Sequence, residues 1–502
     1  MKERRAKPLM IQGASSNAGK SFITAGLCRI LAQDGFRVAP FKSQNMALNS
    51  GVTPDGKEMG RAQIMQAEAA GIKPSVLMNP ILLKPTGDMG SQVIINGEAR
   101  GVMSAREYFG FRKTLIPLIE RAYDELAQEY DVIIAEGAGS PAEINLQQDD
   151  IVNMGLAELI HAPVLIAGDI DRGGVFASLY GTAALITPEQ KRRVKGFIIN
   201  RFRGDVSLLA NAPAVLEQKS GIPVLGVIPY LPIALDDEDS LSERLTAGSG
   251  QRRGAYRIAV IALPHISNFT DLHPLERLSD TDIAYCTRPE QLAGAHLIVI
   301  PGTKNTIGDL RWLKSSGLAH ELCRQVAEHG TPCIGICGGF QMLGTLVRDS
   351  AGAEQRGADC EEGLSLLPVQ TEFQARKRTA QARGALPVLH GCFAPLSGLP
   401  YDGYEIHMGI TTESGHAEPL LHKQGTRSTQ NVLGTYVHGL FDSAHIVQAL
   451  HRVITGNTQA AQQLPDIASY RAFKEQQYDT LAAALRASLD MERVYRIIEE
   501  GE

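Results

Sequence analysis

The chain has 502 residues, 44% apolar and 21% charged, a composition that excludes a disordered or fibrous protein and whose length points to roughly two to four domains. A formal net charge of −6 supplies no broad positive field for a phosphate backbone, so nucleic acid is not an expected partner. No stretch approaches the ~18 consecutive apolar residues that span a bilayer, residues 1–7 run into Pro8 without the apolar core of a signal peptide, and seven scattered cysteines suit a reducing compartment; the chain reads as cytoplasmic, with no membrane partner.

The first half repeats one pattern: a short Val/Ile-rich run, a polar or Gly-rich turn, then a stretch with helical spacing. This predicts a parallel sheet wrapped by helices, with strands over 9–12, 37–41, 132–135, 164–167, 196–200 and 223–228. The pattern stops after Pro232, and an acidic, Gly-rich segment over 236–255 reads as a linker. A second α/β series follows, with strands expected at 258–263, 297–300, 333–336, 403–407 and 434–437. The division is therefore 1–235, linker 236–255, and 256–502. The last fifty residues carry helical stretches such as 478–489, with Leu481, Leu485 and Leu489 along one face, and are expected to pack on the second domain.

Gly13-Ala14-Ser15-Ser16-Asn17-Ala18-Gly19-Lys20-Ser21 lies between the first strand and a helix, the context a phosphate loop requires. Small residues let backbone N–H groups converge on an anion, the helix N-terminus adds a favourable dipole, Lys20 brings a point charge, and the Ser21 hydroxyl can ligate Mg²⁺. Five residues rather than the usual four separate Gly13 from Gly19. Glu136, at the end of its strand, is a candidate for the metal shell, as are Asp169 and Asp171 on the next one; the alternative for each is a carboxylate capping a helix N-terminus, with equal claim for the two aspartates and a lesser one for Glu136.

In Gly335-Ile336-Cys337-Gly338-Gly339 a cysteine stands on a sharp strand-to-helix turn between small residues, which projects it toward a substrate. The helix N-terminus favours its thiolate. The Gly338 N–H, with a second donor from Gly302 in Pro301-Gly302-Thr303-Lys304, is a candidate oxyanion site. Among thirteen histidines, His438 in Tyr436-Val437-His438-Gly439 ends an apolar strand and is the expected base.

With both sites in hand, the chain resembles the cobyric acid synthase family, glutamine-dependent ligases of cobalamin biosynthesis. The resemblance rests on residues 41–49 (Phe41 to Asn49), 169–174 (Asp169 to Gly174), 200–205 (Asn200 to Asp205), 301–306 (Pro301 to Thr306), 404–409 (Tyr404 to Gly409) and 436–439. It implies an N-terminal phosphate-loop domain similar to dethiobiotin synthetase and a C-terminal class I glutamine amidotransferase-like domain. In that wider superfamily the histidine precedes Pro-Glu, and the glutamate orients it; here the sequence reads His438-Gly439-Leu440, so the orienting group is left open. The resemblance further implies ATP and Mg²⁺ as cofactors, with glutamine and adenosylcobyrinic acid a,c-diamide as substrates and four side-chain carboxylates (b, d, e, g) amidated. Asn200 becomes a candidate for reading adenine, and Lys42, Asn45 and Arg203 for the corrinoid. Self-association is left open. The nearest alternative is cobyrinic acid a,c-diamide synthase; one of another class is a partition-type ATPase, which has no use for Cys337 and His438.

Overall fold

The computed structural model describes residues 5–87, 90–145, 150–235, 254–354, 357–413, 425–456 and 469–501. All but Gly254 and Ala255 of the expected linker lie outside the described residues. In the first half, six parallel strands lie side by side in the order Val224–Pro229, Val194–Phe202, Val164–Asp169, Lys7–Gly13, Val132–Glu136 and Val38–Phe41. Their central residues are apolar in unbroken runs because both faces are covered. Met10 and Ile133 enter the core on one face, while Leu9, Ile11 and Ile134 enter the core on the other.

Between the strand Val38–Phe41 and its neighbour Val132–Glu136 the chain inserts a mixed four-stranded sheet of Gln44–Met46, Ile81–Gly87, Gly90–Ile95 and Glu98–Ser104, and a hairpin of Ser50–Val52 with Glu58–Gly60. Neither was expected from the sequence. The insertion reaches the second domain: the Tyr404 hydroxyl donates to the Ser50 carbonyl at 3.1 Å, and the Gln381 amide to that of Val52 at 2.6 Å.

The second domain is built on Thr281–Cys286, Tyr256–Ile261, Leu297–Ile300, Cys333–Ile336 and Val432–Thr435, all parallel, with Thr426–Ser428 antiparallel at the edge. The strand expected at 403–407 is part of Pro400–Glu413. It belongs to a separate sheet, where it pairs with the long antiparallel strand Val369–Ala385.

One expectation is corrected. The C-terminal helices Tyr470–Ser488 and Met491–Glu500 pack on the first domain, not the second. Tyr478, Leu481, Leu485, Val494 and Ile497 join the core formed by Leu9, Ile11 and the helix Lys20–Gln33. Gly26 permits the approach, since a Cβ there would lie 2.2 Å from Leu485 Cδ1. Polar contacts flank the seam: Arg29 meets Asp479 at 2.8 Å and Lys474 meets Glu68 at 2.7 Å. The leucine stripe announced a buried face but not its partner.

Candidate functional site

Two sites stand at the carboxyl ends of the two parallel sheets. In the first, the strand Lys7–Gly13 turns through Asn17 (φ 60°) and Gly19 (φ 85°) into the helix Lys20–Gln33. Lys20 Nζ donates to the carbonyls of Ser15 and Gly139, each at 3.2 Å, so its ammonium is held across the loop. Ser21 Oγ donates to Glu136 Oε1 at 2.8 Å, and the same oxygen takes Lys42 Nζ at 2.9 Å. Burial works against ionisation of Glu136, but Lys42, Gln66 and Ser21 outweigh it and bring the carboxyl below its usual range. A hydroxyl beside an ionised carboxylate at the mouth of a phosphate loop is a fitting set of hard oxygen donors for Mg²⁺.

Asn17, Gly19, Lys20, Ser21, Lys42, Asn45 and Glu136 line a common cavity of about 640 Å³. Its far wall comes from the inserted sheet and the helix Ala105–Phe111, through Met46, Leu83, Pro85, Met103, Tyr108 and Phe109. Other expected residues stand outside that lining. Gly13 lies behind the loop, where a Cβ would meet Lys20 Nζ at 2.9 Å. The Asn200 amide donates to the Ala18 carbonyl at 2.9 Å and so buttresses the loop. Asp169 accepts the Asp171 N–H at 2.8 Å and faces Arg201 at 3.4 Å. Arg203 pairs with Asp171 at 2.9 Å and stacks its guanidinium 3.4 Å above the Tyr230 ring.

The second site is centred on Cys337, which follows the strand Cys333–Ile336 with φ 51° and ψ −108°. Such a conformation costs a non-glycine residue of order 1–3 kcal/mol and persists only where the surroundings enforce it. They do so here: a Cβ at Gly339 would lie 2.0 Å from the Ile300 carbonyl oxygen, and one at Gly338 2.7 Å from Thr303. Cys337 Sγ approaches the Ile406 carbonyl at 3.4 Å. Gly302 lies alongside His438, 3.5 Å separating its ideal Cβ position from the His438 Cε1. The two glycines expected to supply oxyanion donors therefore flank the same space.

His438 is buried, and its Nδ1 lies 2.7 Å from Asp271 Oδ2, while Asp271 Oδ1 accepts the Gly439 N–H at 2.9 Å. Burial disfavours the imidazolium, yet Asp271 and the Cys337 sulfur more than offset it and push the histidine up to about 10. Sequence reasoning left the orienting group open. No local signal marked Asp271: the segment Asn268-Phe269-Thr270-Asp271-Leu272-His273 is mostly polar, and only the fold carries it to His438. The Tyr404 ring stacks on the imidazole with centroids 5.3 Å apart.

A chain of contacts leads from this histidine into the inserted hairpin. Asn268 Nδ2 lies 3.5 Å from His438 Nδ1, and Asn268 Oδ1 accepts the Ser50 N–H at 3.0 Å. Ser50 Oγ donates to Glu58 at 2.8 Å, and Glu58 also binds Lys84 at 3.1 Å and Lys377. Burial alone raises the Glu58 carboxyl, but Lys377 and Lys84 hold it well below the carboxylate range.

A nucleotide-type loop and a cysteine–histidine–aspartate set in one chain narrow the family sharply, and comparison with known proteins decides it. Residues 9–240 match the CobQ/CobB/MinD/ParA nucleotide binding domain, and residues 257–446 the CobB/CobQ-like glutamine amidotransferase domain. Over 513 residues the chain is 50% identical to a cobyric acid synthase of Ruminiclostridium cellulolyticum, covering 99% of this chain and 98% of that protein. The chain belongs to the cobyric acid synthase family. Members from Lachnoclostridium phytofermentans (49% identity, covering 99% of this chain and 100% of that one) and Citrobacter koseri (48%, 98% of each) are similar over the same span. Like other cobyric acid synthases it is a glutamine-hydrolysing, amide-forming ligase of cobalamin biosynthesis. Among its described residues no helix is long and apolar enough to cross a membrane.

Proposed function

We propose that this enzyme converts adenosylcobyrinic acid a,c-diamide to adenosylcobyric acid by amidating the b, d, e and g carboxylates with ammonia drawn from glutamine, at the expense of ATP. The observation that carries the proposal is the cavity of about 640 Å³ running from the phosphate loop to the apolar wall of Met46, Met103, Tyr108 and Phe109. It gives a bulky, partly apolar substrate a place beside the γ-phosphate of a bound nucleotide. The overall relationship to cobyric acid synthases supports this substrate over the a,c-diamidation of the related synthase, and the catalytic cysteine site has no place in a partition-type ATPase.

In the glutaminase half, Asp271 fixes His438 so that its Nε2 serves Cys337. The thiolate attacks the glutamine amide carbon, and N–H groups of Gly338 and Gly302 receive the developing oxyanion. His438 then gives its proton to the departing nitrogen. Water cleaves the resulting thioester, with His438 now the base.

In the synthetase half, Lys20 and the loop N–H groups hold the ATP phosphates, and Ser21 and Glu136 would hold Mg²⁺, whose role is to neutralise phosphate charge. A carboxylate is a poor electrophile, so phosphorylation must precede attack by ammonia, which then displaces phosphate. Lys42 keeps Glu136 ionised. Asn45 faces the substrate space, whereas Asn200, Asp169 and Arg203 support the loop and the neighbouring strand ends. We place the enzyme in the cytoplasm, where its seven unpaired cysteines are stable.

Mass spectrometry of the product formed from the a,c-diamide, ATP, Mg²⁺ and glutamine tests the proposal. Four successive gains of one amide are expected. An enzyme that consumes glutamine and ATP but leaves this corrinoid unchanged would overturn the substrate assignment and leave the ligase class standing.

A further inference from the structure

The cavity around Cys337 and His438 is also lined by three lysines, Lys84, Lys304 and Lys377. Two of them are accounted for. Lys84 donates to Ser50 Oγ at 2.8 Å and to Glu58 at 3.1 Å, and Lys377 binds the other oxygen of Glu58 and the Gln92 side chain. The Lys304 ammonium is different: among the described residues no acceptor lies within hydrogen-bonding or ion-pairing distance of it. Its nearest carboxylate influence, Glu354, is already engaged as an acceptor of the Ile307 N–H at 3.1 Å, at the start of the helix Thr306–Ser315. Burial depresses the proton affinity of Lys304, with Glu354 only partly compensating. Lys304 is half-buried, and it lines the same cavity as Cys337 and His438, so its ammonium is open to an anion that enters there.

The reaction itself supplies one. Glutamine presents its side-chain amide to the thiolate and carries a single anionic group, the α-carboxylate, at the other end of a short aliphatic chain. Lys304 directly follows Gly302 and Thr303, and so projects from the same turn that flanks His438. Its backbone N–H is fixed to the His265 carbonyl at 3.0 Å, which holds the turn in place. We infer that Lys304 is the receptor for the α-carboxylate of glutamine, and that it selects a free amino acid over amides lacking this group. The inference rests on the glutaminase role of the Cys337 site.

Steady-state kinetics of Lys304→Met test it. The KM for glutamine should rise about 10- to 100-fold, the loss expected of a charge-assisted hydrogen bond to a desolvated carboxylate, with kcat little changed. Ammonium-driven amidation, measured in the same preparation, reports that the variant is folded. A fall in kcat at unchanged KM would overturn the inference and assign Lys304 to the Cys337 thiolate. Binding measured by calorimetry in a Cys337→Ala background, with and without Lys304→Met, gives a reading independent of turnover. Equal glutamine affinity in the two proteins would also overturn the inference. Failure of the unmodified enzyme to hydrolyse glutamine would instead count against the glutaminase reading, and the binding comparison would still decide the role of Lys304.

Discussion

Asp271 grips the loop after His438 with both oxygens, one 2.7 Å from the imidazole Nδ1 and the other accepting the Gly439 N–H at 2.9 Å. The carboxylate comes from a segment 167 residues earlier in the chain, and we propose that it takes the place of the glutamate two positions after the histidine in the wider superfamily. Asp271→Asn keeps the shape but reverses the hydrogen bond to the ring. Glutamine-driven amidation should fall by about 10²- to 10⁴-fold, while ammonium-driven amidation persists; equal loss of both in a folded variant would count against this positioning role.

The same contact sets a pH dependence. His438 is raised from 6.5 to about 10, so the folded state binds its proton more tightly than the unfolded chain does. Its stabilising contribution is therefore complete below 6.5 and is lost as pH rises through about 10. Asp271→Asn should remove most of that slope. Thermal melts from about pH 6 to about pH 9.5 measure it, and identical slopes for the two proteins would refute the assignment.

Cys337→Ala should abolish glutaminase turnover and leave ammonium-driven amidation intact, since the sulfur serves only the nitrogen donor. Product analysis with each donor separates the two. Residual glutamine-driven product above background would mean that another group acts as nucleophile.

Lys20→Met should have the complementary phenotype. Its ammonium joins the carbonyls of Ser15 and Gly139 across the phosphate loop, so amidation from either donor should drop at least about 10²-fold through lost phosphate stabilisation, with glutamine hydrolysis retained. Retained amidation would remove Lys20 from the phosphate site.

Leu485→Ala, in a C-terminal helix, should destabilise the nucleotide-binding half by about 2–5 kcal/mol, because Leu485 is almost fully buried against the helix Lys20–Gln33. Denaturant unfolding followed by a probe in that domain measures the effect. No change there would place the helix elsewhere in solution.

The parts legible in the sequence are those whose physics is local. The phosphate loop and the Cys337 turn are contiguous stretches in which small residues, a strand and a helix start must follow one another. The strands of both parallel sheets are short apolar runs fixed by burial on two faces. Asp271 was not legible as a partner of His438, because nothing local ties the two; only the tertiary fold brings the segment of Phe269 beneath the strand end. Among the inserted strands, Ile81–Gly87 and Gly90–Ile95 are apolar on both faces, Ile81, Leu83, Val93 and Ile95 entering the main core and Leu82 and Ile94 a small separate cluster, while Gln44–Met46, Ser50–Val52 and Glu58–Gly60 have three residues each, so no period of two marks them. The C-terminal stripe of Leu481 and Leu485 specified a buried face, yet the choice of surface depended on the absent side chain of Gly26.

That last arrangement makes the nucleotide-binding half discontinuous. Its core is completed by residues 478–498, which arrive only after the entire glutaminase half has been synthesised. A polypeptide ending in the 236–253 segment would leave Leu9, Ile11 and the helix Lys20–Gln33 with an uncovered apolar face and would tend to aggregate. Cleavage of the same segment in the finished protein should do the opposite: the two fragments, each holding part of a shared core, would remain associated and migrate together in gel filtration. The two activities thus reside on one folding unit that cannot be divided at its most obvious seam.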